Sequence, residues 1–364
     1  MSFEFQRVDP RSVRDEVVKF FWEQQHSWPG QTRDDYYATW DWRYSSLSDG
    51  EPIVYVWRLA STGEMVGHIG VYRRTFRVGP ATLRAGVPGN LMVHPQWQNS
   101  VIGMRLVRFL RRLVESGELD AVITFSNPVA DDMCVRFGFA ALGSMHTYVD
   151  VHRTAPLLAR RRSAAVVLSP FADLAFSARR WLRTRRHRHS AVPLDVRLLT
   201  ADEFLRLDRG HWAAPDRLVS WDSSPFVVGR YLTAPRIQGL ERAPTDIHGL
   251  FGGRTGSFEG YVVADGRQRI KVIDCQVNPA STSPQAAIGE VVSSLPAPES
   301  VLVSTLPQSV LARDLVGAGY LHRAVVDAVD ASTFLSAYWL PASPHAAFLS
   351  DVGRWNIWVG SRHY

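Results

Sequence analysis

The residues best placed to do chemistry in this chain stand where a short apolar strand runs into a helix. The strand covers residues 91–93, and Pro95 ends it; a polar turn then leads to a helix that begins near residue 102. A strand that feeds a polar turn and a helix N-terminus aims several backbone N–H groups and the positive end of the helix dipole at one point. This arrangement favours a phosphate group, although an ordinary strand–turn–helix packing unit has the same pattern. The candidate donor-site residues are Leu91, Met92, Val93, Gln98, Asn99, Ser100, Val101, Ile102, Gly103 and Met104.

The pattern resembles the donor-binding signature of the GNAT acyltransferase superfamily. In that signature a Val-x-Pro strand end leads to Arg/Gln-x-x-Gly-x-Gly/Ala and then to a helix. Gln98 fills the Arg/Gln position and Gly103 the last glycine position, but Val101 stands where the family has its first glycine. A glycine lets the backbone come close to a pyrophosphate, whereas a β-branched side chain obstructs that approach. Val101 therefore weakens the case for coenzyme A as the donor.

A second segment resembles another motif of the same superfamily, Asn-x-x-Ala-x-x-(apolar)-Tyr-x-x-x-Gly-Phe. A buried strand over residues 121–125 precedes Asn127, and Gly138 and Phe139 follow the next helix. Cys134 occupies the position of the Tyr, which in the family often protonates the departing coenzyme A thiolate. An unperturbed thiol has a pKa of about 8.5 and can act as a weak acid. The alternative is that Cys134 is a small buried helix residue.

The resemblance implies the transfer of an acyl group to an amine. The amine must lose a proton, and N–H groups of residues 91–93 would stabilise the oxyanion. No Asp or Glu lies on this strand, where the family often places its base, and Asn90, which stands nearest, cannot accept a proton. His94, His68 or a water relay must do so, or the amine arrives neutral. The catalytic candidates are Asn90, His94, Asn127 and Cys134.

An aromatic cluster follows the first predicted helix. Residues 40–44 resemble the Trp-Arg-Tyr segment of a GNAT subgroup associated with envelope polysaccharide and secondary-metabolite genes. Trp40, Trp42 and Tyr44 are therefore candidates for the wall of an acceptor pocket that binds a ring or a sugar face. The spacing of Tyr37, Trp40 and Tyr44 equally favours a helix that packs these rings into the core.

Length and composition favour two domains in a cytoplasmic protein. The chain has 364 residues, of which 46% are hydrophobic, so each half can bury its own core. No apolar run is long enough to span a membrane, and the first residues do not resemble a signal peptide. Cys134 and Cys275 lie far apart without His or Cys at ligand spacing, so we expect catalysis without a metal.

The positive charge is concentrated in one segment. The chain has a net charge of +6, but residues 153–189 carry ten Arg against the single acid Asp173. Arg beside Trp offers phosphate forks and a stacking surface, which favours RNA; a solvated Arg face and contact with anionic lipid are the alternatives. The candidate RNA-binding residues are Arg160, Arg161, Arg162, Arg179, Arg180, Arg183, Arg185, Arg186 and Arg188.

The chain restarts after this segment with the same order of strand and helix. Thr200 is a predicted N-cap with Glu203 in the third helical position. The second copy has no phosphate loop, since Pro279 and Pro284 each remove an N–H group from the corresponding turn. The predicted fold is α/β: two GNAT-like domains in tandem, each a mixed twisted sheet flanked by helices, joined by an Arg-rich helical connection. The donor-site domain covers residues 1–152, the connection 153–190, and the degenerate domain 191–364.

The sequence therefore predicts a GNAT-type acyltransferase, similar to Fem-type aminoacyl-tRNA-dependent transferases. It would move an aminoacyl or acyl group to an amine of a small-molecule or cell-envelope acceptor. Val101, Cys134 and the Arg-rich segment narrowly favour aminoacyl-tRNA as the donor and tRNA as a partner. The alternatives are an acyl-CoA-dependent N-acetyltransferase with an atypical pyrophosphate loop and a non-enzymatic RNA- or protein-binding module. No permanently bound cofactor is expected, because the donor is a cosubstrate; the oligomeric state stays open.

Overall fold

The computed structural model of the chain describes most of its length. The described residues are 2–24, 28, 30–78, 81–98, 101–160, 167–187, 193–208, 218–220, 224–234, 245–322 and 333–358. Within these ranges no helix has both the length and the apolar character that a membrane span requires.

Two β-sheets form the frame of the molecule. The strands of the first are β1 (Phe3–Val8), β2 (Ile53–Leu59), β3 (Met65–Val78), β4 (Ala81–Val93), β5 (Ala121–Ser126), β6 (Ala140–Ser144) and β15 (Phe334–Trp339). The strands of the second are β7 (His146–Val151), β8 (Leu194–Leu199), β10 (Thr245–Gly252), β11 (Phe258–Asp265), β12 (Arg269–Val277), β13 (Ser300–Thr305) and β14 (Leu321–His322). Two short strands, β9 (Leu218–Ser220) and β16 (Trp355–Asn356), extend the first sheet beside β3.

Helices flank both sheets. Those of the first half are α1 (Arg14–Glu23), α2 (Arg33–Ser46), α3 (Ile102–Glu115) and α4 (Pro128–Arg136). The predicted connection contains α5 (Ala155–Arg160) and α6 (Ser169–His187). The second half contains α7 (Ala201–Arg206), α8 (Ser224–Tyr231), α9 (Pro284–Ser294), α10 (Val310–Ala318) and α11 (Ala346–Leu349).

The two sheets share one strand order and exchange one strand. The first is ordered β1-β2-β3-β4-β5-β15-β6 and the second β14-β7-β13-β12-β11-β10-β8, which is the same order written from the other edge. β15 pairs antiparallel with β5 and β6, and β7 pairs antiparallel with β13 and β14. The ranges 1–152 and 191–364 therefore each contribute strands to both sheets. The repeated strand order confirms two copies of one unit, and the exchange adds a link between them that the sequence pattern does not show.

Local sequence signals explain where the helices begin and which face they bury. On α3, Leu106, Leu110 and Leu113 are buried, and their spacing is that of one helical face. On α7 the side chain of Thr200 accepts a hydrogen bond from the Glu203 N–H, and the Glu203 side chain accepts one from the Thr200 N–H. This capping box confirms the predicted start of the second copy.

One apolar cluster joins the two halves on the side of the first sheet that carries α1 and α2. It contains Phe21 and Trp40 from these helices together with Phe204, Phe226 and Tyr261 from the second half. A hydrogen bond reinforces the contact, because the Trp42 indole N–H donates to the Gly229 carbonyl at 2.7 Å. The opposite side of the first sheet is covered by α3 and α4, next to the predicted donor site.

Candidate functional site

A gap opens between β4 and β5 on the side of the molecule where α3 begins. The two strands pair in parallel only at Ala85–Ala121 and Gly86–Val122, although β4 continues to Val93 and β5 to Ser126. A Cβ atom on Gly86 would lie 2.5 Å from Cδ1 of Leu119, so any larger residue would force neighbouring side chains to move where the strands diverge. The pairing pattern therefore leaves a gap between the last residues of β4 and those of β5.

The turn after β4 is held by its own polar groups. The His94 N–H donates to the Val66 carbonyl at 2.9 Å, and a short 3-10 helix, Pro95–Trp97, follows. The side-chain amide of Gln98 donates to the Val93 carbonyl at 3.3 Å. Gln98 thus fixes the turn against the end of β4. Asn99 and Ser100 lie outside the described residues.

The helix α3 begins at the mouth of the gap, directly after two residues that lie outside the described part of the chain. Val101 is the N-cap residue, and its side chain offers no acceptor to the first turn. The Val101 side chain is 44% exposed. Leu91 and Met104 are exposed nearby, which gives the mouth of the gap an apolar rim. The positive end of the α3 dipole therefore lies at the mouth of the gap, with apolar side chains beside it.

Gly103 and Asn127 have clear structural roles in this part of the molecule. A Cβ atom on Gly103 would lie 3.2 Å from Sδ of Met133, so the glycine allows α3 to pack closely on α4. Oδ1 of Asn127 accepts a hydrogen bond from the Ala130 N–H at 2.9 Å and caps α4. Both residues shape the site, and their predicted roles in donor binding and catalysis stay predictions.

A small polar cluster lies where α4 crosses β5 and the exchanged strand β15. Oγ1 of Thr124 lies 2.7 Å from Oγ of Ser336, and Cys134 is buried beside both residues. Burial raises the pKa of the Cys134 thiol to about 11. Burial also raises the pKa of Asp131, and a hydrogen bond with Ser336 partly offsets the shift. Cys134 is therefore a neutral thiol at ordinary pH.

Asn90 is the centre of a buried hydrogen-bonded network at the end of β4. Its Oδ1 accepts from the Arg43 guanidinium at 2.6 Å and from the Trp28 indole N–H at 3.1 Å. Its side-chain amide donates to the Tyr72 hydroxyl and, at 3.4 Å, to the Tyr44 hydroxyl. Asn90 has a φ of 54°, in the left-handed region that Asn tolerates better than most residues. The register between β3 and β4 shifts at this point, so Asn90 stands in a β-bulge.

The buried imidazole of His68 closes this network. Its Nδ1 lies 2.9 Å from the Asn90 carbonyl oxygen, which can only accept, so Nδ1 carries the proton. Its Nε2 then accepts from the Tyr44 hydroxyl at 3.2 Å. Burial raises the pKa of Tyr44, and it raises the pKa of Tyr72 to about 12. Both hydroxyls therefore stay protonated and act as donors or neutral acceptors.

The predicted acceptor-pocket residues Trp40, Trp42 and Tyr44 are all buried. The rings of Trp40 and Tyr44 stack at 3.8 Å between centroids, inside the cluster shared by both halves. Trp42 turns toward α8. These side chains pack in the core as the alternative interpretation of their spacing expects, and a role in acceptor binding stays a prediction.

The Arg-rich segment forms helices in its described parts. Arg160 ends α5, and α6 contains Arg179, Arg180, Arg183, Arg185 and Arg186, whereas Arg161, Arg162 and Arg188 lie outside the described residues. The helical character of the connection agrees with the sequence prediction. The described contacts do not test RNA binding.

Sequence reasoning missed two groups of residues. Arg43, which belongs to the Trp-Arg-Tyr segment, joins the Asn90 network from α2. Tyr72 joins it from β3, and no motif marks this residue. Ser336 lies beside Cys134 because β15 belongs to the first sheet. Ser336 and Thr124 are 212 residues apart in the sequence, so no local pattern could indicate the contact between their hydroxyls.

Comparison with known proteins identifies solved structures that share this fold. No model of a known protein family matches the sequence, and no curated protein matches it. Among solved structures, a probable N-acyltransferase from Enterococcus faecalis aligns over 93% of this chain and 73% of its own, with 10% identity and a TM-score of 0.54. A GCN5-related N-acetyltransferase from Kribbella flavida aligns over 94% of this chain and 72% of its own, with 14% identity and a TM-score of 0.54.

A third similar structure is the N-myristoyltransferase of Saccharomyces cerevisiae with bound myristoyl-CoA. It aligns over 93% of this chain and 82% of its own, with 11% identity and a TM-score of 0.50. At these identities the likeness establishes the fold. Together with the repeated strand order, it confirms the predicted architecture of two GNAT-like α/β domains in tandem.

Proposed function

We propose that this chain is an acyltransferase that binds an acyl-coenzyme A thioester across the gap between β4 and β5 and passes the acyl group to an amine. The observation that carries the proposal is that this gap opens directly beside the N-terminus of α3, whose N-cap residue Val101 has no side-chain acceptor. The positive end of the helix dipole suits the pyrophosphate of the donor, and the extended arm of the donor would lie in the gap. The similar structures support the proposal, since the names of all three describe acyl transfer.

The exposed rim of the gap favours a thioester donor. Val101 stands in the position of a glycine, but its side chain is 44% exposed and is not buried in the turn. Leu91 and Met104 add apolar surface that suits the arm and base of coenzyme A.

The reaction needs little from the protein beyond positioning. The amine nitrogen attacks the thioester carbonyl, a C–N bond forms, the C–S bond breaks, and the sulfur leaves with the bonding electrons. The bulge at Asn90 supports an oxyanion site on the N–H groups of Leu91, Met92 or Val93, because a bulge leaves one residue out of the strand ladder.

The described residues support proton transfer less well than they support donor binding. Both nitrogens of His68 are engaged, and Nδ1 of His94 accepts from the Gln96 N–H at 3.3 Å. We therefore propose that the amine binds neutral or loses its proton to water. Cys134 is buried beside Thr124 and Ser336, and with a pKa of about 11 its full proton transfer to a thiolate of ordinary basicity is unfavourable.

Aminoacyl-tRNA is the second candidate donor, and the ten Arg of residues 153–189 are the observation that favours it. The described geometry of the gap gives it no separate support.

Separate incubations distinguish the two donors. The protein is incubated with acetyl-CoA or with a mixture of charged tRNAs, each with a panel of small amines, and added mass is measured with and without RNase. The proposal expects turnover with acetyl-CoA that RNase does not change. Turnover that needs charged tRNA and stops with RNase would overturn the thioester as the donor. It would leave the proposed acyltransferase activity in place.

A further inference from the structure

The outer face of the Arg-rich connection exposes a continuous apolar surface. Val167 and Leu168 lead into α6, where Phe171 is 74% and Leu174 69% exposed. Phe171, Leu174 and Ala178 follow the spacing of one helical face, and position 182, a leucine, falls on the same line. Single exposed apolar side chains are common on protein surfaces, but a run of this kind marks an interaction site.

The opposite side of α6 is fastened to the body of the protein at the start of the helix. The Thr154 N–H donates to Oδ1 of Asp173 at 2.6 Å, and the Thr154 hydroxyl donates to the Ser169 carbonyl at 3.2 Å. Asp173 is the single acid in residues 153–189, and these contacts engage its carboxylate. The first turns of α6 therefore keep their acidic residue inward and their large apolar residues outward.

The charge of the segment complements an anionic surface. Five Arg lie between positions 179 and 186 of α6, directly after the exposed apolar turns. A helix with Phe and Leu on one face and many Arg beside it is typical of helices that lie in the interface of an anionic bilayer. Nucleic-acid binding would use the Arg but gives no role to exposed Leu and Val side chains. A second copy of the chain would bring two strongly positive segments together, which is unfavourable.

We propose that α6 is a membrane-surface anchor that inserts Phe171 and Leu174 into the headgroup region of an anionic bilayer, with the following Arg on the lipid phosphates. The anchor holds the protein on the membrane face without crossing it. It is independent of the acyltransferase proposal, because none of its residues belongs to the gap between β4 and β5.

Vesicle flotation of the full chain tests the anchor. The protein is mixed with vesicles of phosphatidylcholine, with or without a fraction of phosphatidylglycerol, and the bound fraction is measured at low and high salt. We expect binding to the vesicles with phosphatidylglycerol, weakened by salt, and little binding to phosphatidylcholine alone. The double variant Phe171→Ser, Leu174→Ser keeps every charge, and it should lower the partition coefficient by at least about tenfold.

A matched control removes two exposed apolar side chains elsewhere. The double variant Leu198→Ser, Val316→Ser changes β8 and α10, and it should bind vesicles like the native chain. The melting temperature of each variant shows whether it is folded. Absence of vesicle binding by the native chain, or unchanged binding by the Phe171 and Leu174 variant, would overturn the anchor.

Two further outcomes would identify another partner for the exposed apolar surface of α6, and either of them would overturn the membrane anchor. If an RNA oligonucleotide binds to the native chain and vesicles do not, the surface is an RNA-binding surface. If the native chain is a dimer that the Phe171 and Leu174 variant converts to a monomer, a second copy covers the face.

Discussion

The two halves of the molecule contain the same strand–turn–helix unit and cap its helix differently. In the first half β4 leads to α3, whose N-cap residue Val101 has no side-chain acceptor. In the second half β12 leads to α9, where Ser283 accepts a hydrogen bond from the Ala286 N–H at 3.2 Å and Pro284 occupies the first helical position. The N-cap side chain of α9 satisfies one N–H group of its helix, whereas the N-cap side chain of α3 cannot do so. This difference agrees with our proposal that the first copy binds the donor and the second does not.

The strands β4 and β12 each contain a bulge with a polar residue beside it. β4 holds Asn90 at its bulge, and β12 holds Asp274 beside its own register shift. Asp274 accepts from the Cys275 N–H at 2.8 Å and from the Tyr231 hydroxyl at 3.3 Å. Both positions are buried and polar, but the one in the first half connects a guanidinium, an indole and two phenols. The first bulge is thus the more rigidly specified of the two.

The largest expected effect comes from removing Asn90. The substitution Asn90→Leu deletes the acceptor of Arg43 and Trp28 and places a branched side chain at a positive φ, so we expect a loss of at least about 3 kcal/mol of unfolding free energy. Asn90→Asp keeps the acceptor of Arg43 and Trp28 and replaces the amide donor by an oxygen that can accept from the Tyr72 hydroxyl, so it should lose less stability than Asn90→Leu. Urea unfolding measures both. Equal stability of the Leu variant and the native chain would show that the network does not hold the bulge.

The buried cysteines predict a loss of stability at high pH. The folded pKa of Cys134, about 11, lies above that of an exposed thiol, so the folded state holds the thiol proton more tightly. The contribution is complete below pH 9 and is lost as the pH rises through about 11, with a total of about 2–3 kcal/mol. Burial also raises the pKa of Cys275 in the second half.

Unfolding at increasing pH tests this effect for Cys134. The native chain should lose more stability between pH 9 and about 11 than Cys134→Ala, which keeps Cys275 as an internal reference. If the two proteins lose the same amount, the Cys134 thiol does not titrate differently in the folded and unfolded states.

The smallest expected effect concerns the cap of α9. Ser283→Ala should cost about 1 kcal/mol, because it removes the acceptor of the Ala286 N–H. Val101→Ser should instead stabilise α3 by a few tenths of a kcal/mol or more, since it replaces a side chain without an acceptor by one that can cap the helix. Thermal unfolding measures both changes. A stabilised Ser283→Ala, or a destabilised but folded Val101→Ser, would contradict the assigned difference between the two helix starts.

The sequence predicts the elements whose signals are local. The start of α3, the strand at 121–126 and the Thr200–Glu203 capping box follow from short patterns of apolar, capping and turn residues. Pro284 at the first position of α9 agrees with the prediction that the second turn lacks an N–H group there.

The parts that the sequence does not predict depend on contacts between distant residues. Nothing in the pattern of β15 indicates that it pairs with β5 rather than with its own half, because strand partners are chosen by packing across the whole molecule. The Asn90 network likewise draws side chains from three separate elements. Local propensity cannot bring such residues together.

Titration of coenzyme A into three proteins tests the central claim, that the N-terminus of α3 binds the donor and the N-terminus of α9 does not. Val101→Asp places a carboxylate at the start of α3, where it repels the pyrophosphate, and Ser283→Asp makes the same change at α9. We predict that the native chain binds, that Val101→Asp weakens binding by about tenfold or more without loss of thermal stability, and that Ser283→Asp binds like the native chain. Native-like binding by Val101→Asp, equal losses in both variants, or no binding by the native chain would contradict the account.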